Sequence, residues 1–330
     1  MNSAPHLSER AAVTIRRGSF WIEGDPTPSA FGTIQRGPMY VHWEAPADAT
    51  DRPPLILVHG GGGQGTDWMT TADGRPGWLD AFVRAGYPTY VVDRPGHGRS
   101  PHHPDVLGEP GAPGGFESTI GVFANPVLAE AHTQWPWARS AEGYEIAQLA
   151  ASAGFIAADF AAANDIDGRR LSELLDRTGP AVLITHSVGA VGGWLAATLN
   201  PASVLAVVAI EPMGPPFTSI PGLGSLTWGV TAVPLPTEPP ILGPEELVAQ
   251  RGSMTIPGLA GLPIVVVAAP ASPFAGGAAP VVDFLVSTGA RAELLRLEEH
   301  GVVGNGHGVM LEANSDEAIE PILVWLEEHA

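Results

Sequence analysis

The chain has 330 residues, of which 45% are hydrophobic and only 15% are charged, so it can bury a substantial core. Its 35 acidic and 16 basic residues give a net charge of −19, which disfavours binding to nucleic acid or to anionic membrane surfaces. All 16 basic residues are arginine and there is no cysteine, which excludes a Schiff-base lysine, a pyridoxal phosphate site, a P-loop, disulfides and a cysteine nucleophile.

The first segment, Met1 to Asp25, contains acidic and basic side chains and no apolar h-region, so no signal peptide is predicted. No apolar run in the chain is long enough to span a bilayer. The sequence therefore predicts no membrane insertion. It indicates a cytoplasmic protein, or a secreted or periplasmic one whose signal peptide has been removed.

Two kinds of strand are predicted in chain order. The alternating stretches Val13 to Glu23 and Met39 to Trp43 indicate antiparallel strands, in an N-terminal β-hairpin extension over about residues 10–45. The later runs are short, continuous and mostly β-branched, as in parallel strands that helices cover on both faces. These runs are Leu55–Val58, Thr89–Val92, Ala181–Ile184, Val204–Ile210 and Ile264–Ala268, and Ala292–Leu297 is the last predicted strand.

Helices are predicted between these strands and at the end of the chain. They are Trp78–Ala85, Ser140–Ala163, Gly189–Leu199 and an amphipathic helix Ser315–His329 with Ser315 as its N-cap. The alternation predicts a single α/β domain over residues 1–330, built on a doubly wound, mostly parallel sheet. Residues 101–139 and 212–262 lack a clear period, and we expect the second stretch to be a lid or cap insertion.

Ser187 follows the strand that ends at Ile184 and precedes a helix rich in small residues. A tight strand–turn–helix connection lifts a serine Oγ clear of the sheet, as a nucleophile requires. The segment Thr185-His186-Ser187-Val188-Gly189 departs from the G-x-S-x-G pattern, because Thr185 occupies the first glycine position. Taken alone, this pentapeptide also fits an ordinary buried serine at the end of a strand.

A glycine run, Gly60 to Gly63, follows His59 at the end of the first parallel strand. Without Cβ atoms, such a loop can turn its backbone N–H groups into a concavity. We expect the N–H groups of Gly61 and Gly62 to form an oxyanion hole with that of Val188.

The same loop leaves a second interpretation open. Gly60-x-Gly62-x-x-Gly65 matches a dinucleotide fingerprint, and Asp93 ends the next strand as a ribose ligand would. That interpretation would make the protein an NAD(P)-binding oxidoreductase. It is disfavoured because no helix of the required pattern follows the loop before Trp78.

The block from Asp93 to Ser100, Asp93-Arg94-Pro95-Gly96-His97-Gly98-Arg99-Ser100, follows the second parallel strand. Together with the His-Gly loop, the serine turn and a late histidine, it resembles the α/β-hydrolase fold family in order and spacing. The resemblance covers about residues 40–330. It implies that Asp93 is structural and that the chain is a serine hydrolase, which cleaves carboxylic esters through an acyl-enzyme.

The resemblance also implies that the general base follows the last strand. Gly304-Asn305-Gly306-His307-Gly308 occurs there, before the final helix. Flexible glycines beside His307 suit an imidazole that must reach the end of another strand. His300 is the other candidate, but it lies directly after the strand and is less well placed.

The acid is predicted at an unusual position. Most members of the family have an aspartate after strand seven, but the loop Pro270–Gly277, which follows that strand here, contains no carboxylate. Glu211 directly follows strand six, which resembles a branch of bacterial carboxylesterases with a Ser-His-Glu triad. Glu211 could also be a solvated carboxylate at a strand end. Asp283, the nearest alternative, lies in a segment that is predicted to be helical.

His102, His103 and Asp105 suggest a metal site at first sight. Adjacent histidines point in different directions, however, and no third ligand recurs at helical spacing, so a solvated loop is favoured. The predicted chemistry needs neither a metal nor another cofactor.

The predicted reaction is acyl transfer to water, in which His307, oriented by Glu211, removes the Ser187 proton. The substrate is expected to be a small-molecule ester in a largely apolar pocket lined by His186, Phe217, Leu223, Leu226 and Trp228. A serine-dependent acyltransferase or perhydrolase, and a ligand-binding receptor that retains the triad, remain alternatives. An aspartate-nucleophile dehalogenase or epoxide hydrolase is disfavoured by the serine, and a homodimer is left open.

Overall fold

The computed structural model describes residues 10–330, so the prediction made for Met1 to Asp25 lies partly outside the described residues. The strands are β1 (Ile15–Ile22), β2 (Asp25–Ser29), β3 (Gly32–Arg36), β4 (Met39–Pro46), β5 (Leu55–Val58), β6 (Thr89–Asp93), β7 (Pro110–Pro113), β8 (Phe155–Ala157), β9 (Ala181–His186), β10 (Val204–Ile210), β11 (Ser219–Ile220), β12 (Gly224–Ser225), β13 (Pro263–Ala268) and β14 (Arg291–Arg296). The helices are α1 (Trp78–Arg84), α2 (Pro104–Leu107), α3 (Phe116–Phe123), α4 (Tyr144–Ser152), α5 (Phe160–Thr178), α6 (Gly189–Leu199), α7 (Pro244–Ala249), α8 (Ala278–Ser287), α9 (Ser315–Ala318) and α10 (Glu320–His329).

An eight-stranded sheet has the order β1-β4-β6-β5-β9-β10-β13-β14. The strands from β6 to β14 in this order are parallel, while β4 runs antiparallel to both β1 and β6. Every residue of β5 and of β9 is buried, which explains their continuous apolar sequences. The predicted α/β-hydrolase sheet, with antiparallel strands at its N-terminal edge, is therefore confirmed.

The first and fourth strands pair as predicted, in a register that runs from Ile15 opposite Pro46 to Ile22 opposite Met39. Their connection is longer than a turn, because β2 and β3 form a separate two-stranded hairpin between them. The strand β2 contains two prolines and no alternation of apolar residues, so its sequence gives little indication of a strand.

The helix predicted over Ser140–Ala163 is wrong. The structure has α4 and the short strand β8 within this stretch, and α5 begins only at Phe160 and continues to Thr178. The side chain of Asp159 caps α5 by accepting a hydrogen bond of 2.9 Å from the N–H of Ala162. A capping residue inside the predicted helix, near its end, was the sequence signal for this boundary.

The single C-terminal helix predicted over Ser315–His329 is also wrong. It is divided into α9 and α10, and the N-cap position of α9 is Asn314 rather than Ser315. Pro321 lies in the first turn of α10, where its missing N–H prevents a continuous helical hydrogen-bond ladder.

The core occupies both faces of the sheet. Alternate residues of β5 belong to different clusters: Ile56 and Val58 pack on one face, and Leu55 and Leu57 on the other. Helices α5, α6 and α8 cover the first face, while α1 and α10 cover the second. This arrangement leaves the carboxyl ends of the parallel strands as the edge at which polar side chains can gather.

The two irregular stretches contain only short elements. Residues 101–139 include α2, β7 and α3, and residues 212–262 include β11, β12 and α7. In the second stretch, Met213 and Leu226 form a small buried cluster with Val188 and Val191 of the serine turn and α6. Within residues 10–330, no helix is both long and apolar enough to cross a membrane.

Gly189 provides a test of the packing between α6 and β5. A Cβ at this position would lie 2.8 Å from the carbonyl oxygen of Val58 and would also strike that of His59. Since both obstacles are backbone atoms, we expect Gly189→Ala to lower the free energy of unfolding by about 1–3 kcal/mol in urea denaturation. Gly121→Ala is the matched control in α3, where nothing obstructs a Cβ, and should stabilise by up to about 1 kcal/mol. Equal effects of the two substitutions would contradict this account.

Candidate active site

Ser187 lies in the turn between β9 and α6 with a φ of 52°, in the left-handed region that costs a non-glycine residue about 1–2 kcal/mol. Backbone hydrogen bonds hold it there, because its N–H donates to Ile210 at 3.0 Å and its carbonyl accepts from Met213 at 3.1 Å. The strained turn is thus fixed to the end of β10. This is the local geometry that the sequence predicted for a nucleophile.

Thr185 replaces the first glycine of the usual serine motif, and the structure explains why this is tolerated. A Cβ on Gly193 of α6 would lie only 2.8 Å from the Thr185 Cγ2 atom. The volume of the threonine methyl group is therefore accommodated by a glycine on the facing helix. The strand and helix still approach each other closely.

Glu211 directly follows β10 and is buried, with a φ of 48°. Its Oε1 accepts a hydrogen bond of 2.7 Å from the N–H of Ala269, at the end of β13. Its Oε2 lies 3.3 Å from His307 Nδ1. Both carboxylate oxygens are therefore satisfied, and the alternative interpretation of Glu211 as a solvated carboxylate at a strand end is not supported.

His307 is buried and lies in the loop before the last helices. Because a carboxylate can only accept, the proton of the neutral imidazole belongs on Nδ1, which leaves the lone pair on Nε2. Phe274 packs edge-on against the ring with centroids 4.7 Å apart, and Phe123 lies at 6.0 Å. The loop after β13 thus supplies an aromatic wall and a backbone N–H, although it has no acid.

His186 is the neighbour of Ser187 and also contacts His307. Its Nε2 donates a 3.0 Å hydrogen bond to the His307 carbonyl oxygen, and the two rings lie 4.7 Å apart. Burial, followed by the proximity of His307, holds the pKa of His186 well below its usual value. His186 therefore acts as a neutral bridge between the serine turn and the histidine loop.

The glycine loop is fixed by the block that follows β6. The carbonyl oxygen of Gly60 accepts from Arg94 Nη2 at 2.7 Å and from His59 Nδ1 at 2.9 Å. Arg94 is itself paired with Asp167 at 2.6 Å, and both side chains are buried. Burial and the Arg94 charge keep the pKa of His59 well below its usual value, so the ring stays neutral.

Asp93 has the structural role that the family resemblance implied. Its Oδ1 accepts from the N–H of Gly65 at 2.7 Å, and its Oδ2 accepts from the backbone and side chain of Arg99. The dinucleotide interpretation is not supported, because these contacts occupy the carboxylate that would bind a ribose. The glycine loop is also followed by a 3₁₀ helix, Gly65–Trp68, instead of an α-helix.

A pocket lies beside the glycine loop. Its lining combines that loop with apolar and polar side chains. The lining residues are Gly61, Gly62, Val188, Ile156, Ala157, Phe160, Ala163, Val191, Leu223, Asn164, Arg94, His97 and Asp167. A Cβ on Gly61 would lie 3.0 Å from Val188 Cγ2, so the loop and the residue after the serine face each other closely.

The residues predicted to line the substrate pocket have different environments. Leu223 lines the pocket, and Leu226 is fully buried in the cluster with Val188. Phe217 packs edge-to-face on Phe284 of α8 in the core, and the N–H of Trp228 donates to Thr231 in a local turn. The sequence could not distinguish these roles, because the fold of the second insertion depends on packing that has no periodic signal.

The other candidates from the sequence lie elsewhere. His300 is exposed, and Asp283 is exposed on α8. His102 Nε2 bonds to the Gly108 carbonyl, His103 Nδ1 accepts from the N–H of Gly37, and Asp105 pairs with Arg36. Within residues 10–330, no three His, Asp or Glu side chains are grouped so that they could hold a metal ion.

Sequence reasoning missed a second buried histidine–carboxylate pair beside the histidine loop. His132 Nε2 lies 2.8 Å from Glu312 Oε1, and both side chains are almost completely inaccessible to solvent. The only sequence signal was a glutamate directly after the apolar run Val309-Met310-Leu311.

Comparison with known proteins agrees with this fold. The family model of the alpha/beta hydrolase fold matches residues 53–239, more than half of the chain. The chain belongs to the α/β-hydrolase fold family. It is 32% identical over 357 aligned positions to the probable secreted lipase phiG of Fungal sp. (strain ATCC 74256), covering 99% of this chain and 94% of that protein. The solved structure of a novel bacterial esterase is similar in fold, with a TM-score of 0.70 and 22% identity over 98% of each chain.

His97 gives a test of the electrostatics beneath the glycine loop. Burial, and then the charge of Arg94, lowers the pKa of His97 to about 3. Below about pH 6.5 the unfolded chain binds a proton that the folded chain does not, so this histidine makes stability fall as the pH falls. The expected slope is about 1.4 kcal/mol per pH unit.

The measurement is the urea unfolding free energy of the wild type and of His97→Gln at pH 6.5 and pH 5.0. The difference between the two proteins should change by about 2 kcal/mol in favour of the variant at the lower pH. Asp67 contributes with the opposite sign, because burial raises its pKa to about 7. This contribution is the same in both proteins, so it cancels in the difference between their unfolding free energies. A pH-independent difference would refute the buried, neutral state of His97.

Proposed function

We propose that this member of the α/β-hydrolase family is a serine ester hydrolase with the triad Ser187, His307 and Glu211. The observation that supports it most strongly is the hydrogen bond from His307 Nδ1 to the Glu211 carboxylate, beside a serine in a strained strand–helix turn. This arrangement selects the imidazole tautomer whose Nε2 can accept a proton. It corresponds to the Ser-His-Glu branch that the sequence resembles.

In the proposed acylation step, His307 Nε2 removes the proton from Ser187 Oγ as that oxygen attacks the ester carbonyl. The resulting imidazolium is stabilised by Glu211, and the developing oxyanion is held by the backbone N–H groups of Gly61, Gly62 and Val188. The tetrahedral intermediate collapses when the imidazolium protonates the departing alcohol. The product of this step is an ester between the acyl group and Ser187.

In the proposed deacylation step, His307 accepts a proton from water, and the hydroxide formed attacks the acyl-enzyme carbonyl. The same N–H groups hold the second oxyanion. Proton transfer back to Ser187 Oγ releases the carboxylic acid and restores the enzyme. All the proton transfers use groups of this chain and of the two substrates.

The substrate is proposed to be a small-molecule ester, one part of which enters the pocket beside the glycine loop. Its apolar walls, which include Ile156, Phe160 and Leu223, favour an aliphatic or aromatic group. We further propose that residues 212–262 form a cap on this pocket, since Leu223 both lines the pocket and packs against the buried cluster that contains Val188. The name of the fungal relative favours secretion as the location of the protein.

Covalent labelling tests the nucleophile. Treatment with a fluorophosphonate should add one adduct to the wild type, on the peptide that contains Ser187, and should abolish hydrolysis of 4-nitrophenyl esters. Ser187→Ala should take up no label, whereas Ser272→Ala, a buried serine at the same edge of the sheet, should label like the wild type. Intact-mass spectrometry measures both. A folded protein that binds esters without turnover or labelling would indicate a receptor.

Substitution of the acid tests the triad. In Glu211→Gln the amide oxygen should stay on the Ala269 N–H, so the amide NH₂ faces His307 Nδ1 and forces the imidazole proton onto Nε2. We expect kcat to fall by about 10³–10⁴-fold with little change in KM, because the lost interaction acts in the transition state. Asp283→Asn, on the exposed face of α8, should keep normal steady-state kinetics. Normal kcat in Glu211→Gln together with a large loss of kcat in Asp283→Asn would assign the role of the acid to Asp283.

A further inference from the structure

Glu312 is a carboxylate with 0% relative exposure, five residues beyond His307 in the chain. Its Oε1 accepts from His132 Nε2 at 2.8 Å and from the N–H of Gly306 at 2.9 Å. Its Oε2 accepts from Asn305 Nδ2 at 2.8 Å and from the same Gly306 N–H at 3.2 Å. Two of these three donor residues are the ones that immediately precede His307.

The direction of the His132 bond is fixed by a second neighbour. Arg139 Nη1 lies 3.2 Å from His132 Nδ1, and a guanidinium can only donate. Nδ1 is therefore an acceptor, and the ring proton lies on Nε2, where it is directed at Glu312. Arg139 is anchored in turn by the carbonyl oxygens of His132 and Trp135, at 2.7 and 3.1 Å.

The histidine loop fits this unit closely. A Cβ on Gly306 would lie 2.6 Å from the His132 ring, so only glycine allows the loop to pass at this distance. The carbonyl oxygen of Asn305 accepts from the N–H of Ala271 at 2.8 Å, in the same loop after β13 that supplies the Ala269 N–H to Glu211. Glu312 and Glu211 therefore hold the histidine loop from two sides.

We propose that Glu312, together with His132, is a positioning unit for His307, a role that rests on the proposed function of the triad. The unit fixes Asn305 and Gly306 so that His307 Nδ1 stays within hydrogen-bond reach of Glu211. That bond is 3.3 Å long, so a displacement of a few tenths of an ångström breaks it. Neither Glu312 nor His132 touches the reacting atoms in this proposal.

The first test is Glu312→Gln, which replaces one acceptor oxygen by an NH₂ group that faces N–H donors. We expect kcat to fall by about 10–100-fold while KM changes less than twofold, because the loop is displaced but the pocket is not. Phosphonate titration should still count one active serine per folded chain. The acidic limb of kcat/KM should move to lower pH, since a weaker bond to Glu211 stabilises the imidazolium less.

The second test uses His132 and remains informative if Glu312→Gln does not fold. His132→Phe removes the donor to Glu312 but keeps a ring of similar size, and should lower kcat. His132→Gln can donate from its amide and should recover a substantial part of the loss. Gln134→Ala is the matched control, because its half-buried side chain donates to the Val303 carbonyl oxygen and is not one of the donors to Glu312, and its kcat should be that of the wild type.

The outcomes separate this proposal from the proposed function. Normal kcat in Glu312→Gln or in His132→Phe, beside an inactive Glu211→Gln, overturns the positioning role and leaves the triad intact. Full activity of Glu211→Gln overturns the triad itself. A third outcome is that kcat falls in the Glu312 and His132 variants only in proportion to the number of serines that the phosphonate titrates, while the acidic limb of kcat/KM does not move. That result assigns the unit to folding alone and also refutes the proposal.

Discussion

The Glu211 carboxylate connects three strand ends of the sheet. It lies at the end of β10, accepts from the first residue after β13, and bonds to the histidine that follows β14. A buried carboxylate is costly unless both oxygens are satisfied, so its two hydrogen bonds constrain the loops on either side. The loop after β13 therefore does not have to supply a carboxylate partner for His307. It contributes an N–H to Glu211 and the ring of Phe274 to His307.

The sheet could be predicted because a strand that is buried on both faces has a continuous apolar sequence. Continuous runs such as Leu55–Val58 and Ala181–Ile184 contain no polar residue on either side of the strand, and the structure buries all of them. The hairpin of β2 and β3 has no such run, since its side chains are largely exposed and two of them are proline. The break between α4 and α5 could not be predicted from periodicity, because the cap at Asp159 is a single residue among others that fit a helix.

The candidate triad could be predicted from order along the chain. Parallel strands end at one edge of the sheet, so Ser187 and Glu211, each at a strand end, had to be neighbours. The pocket residues and Glu312 could not be predicted in the same way. Their positions depend on contacts between distant segments, such as the 180-residue separation between His132 and Glu312, which one sequence does not reveal.

The Thr185 methyl group occupies space that a side chain at position 193 would otherwise fill, and this has a consequence for how serine motifs are recognised in sequences. The two positions share one small space between β9 and α6, so the size of one limits the size of the other. With threonine at 185 there is no room for a methyl group at 193, whereas glycine at 185 would make room for one. The physical constraint is then the joint volume of the residue pair, and a sequence pattern confined to the serine turn does not describe it.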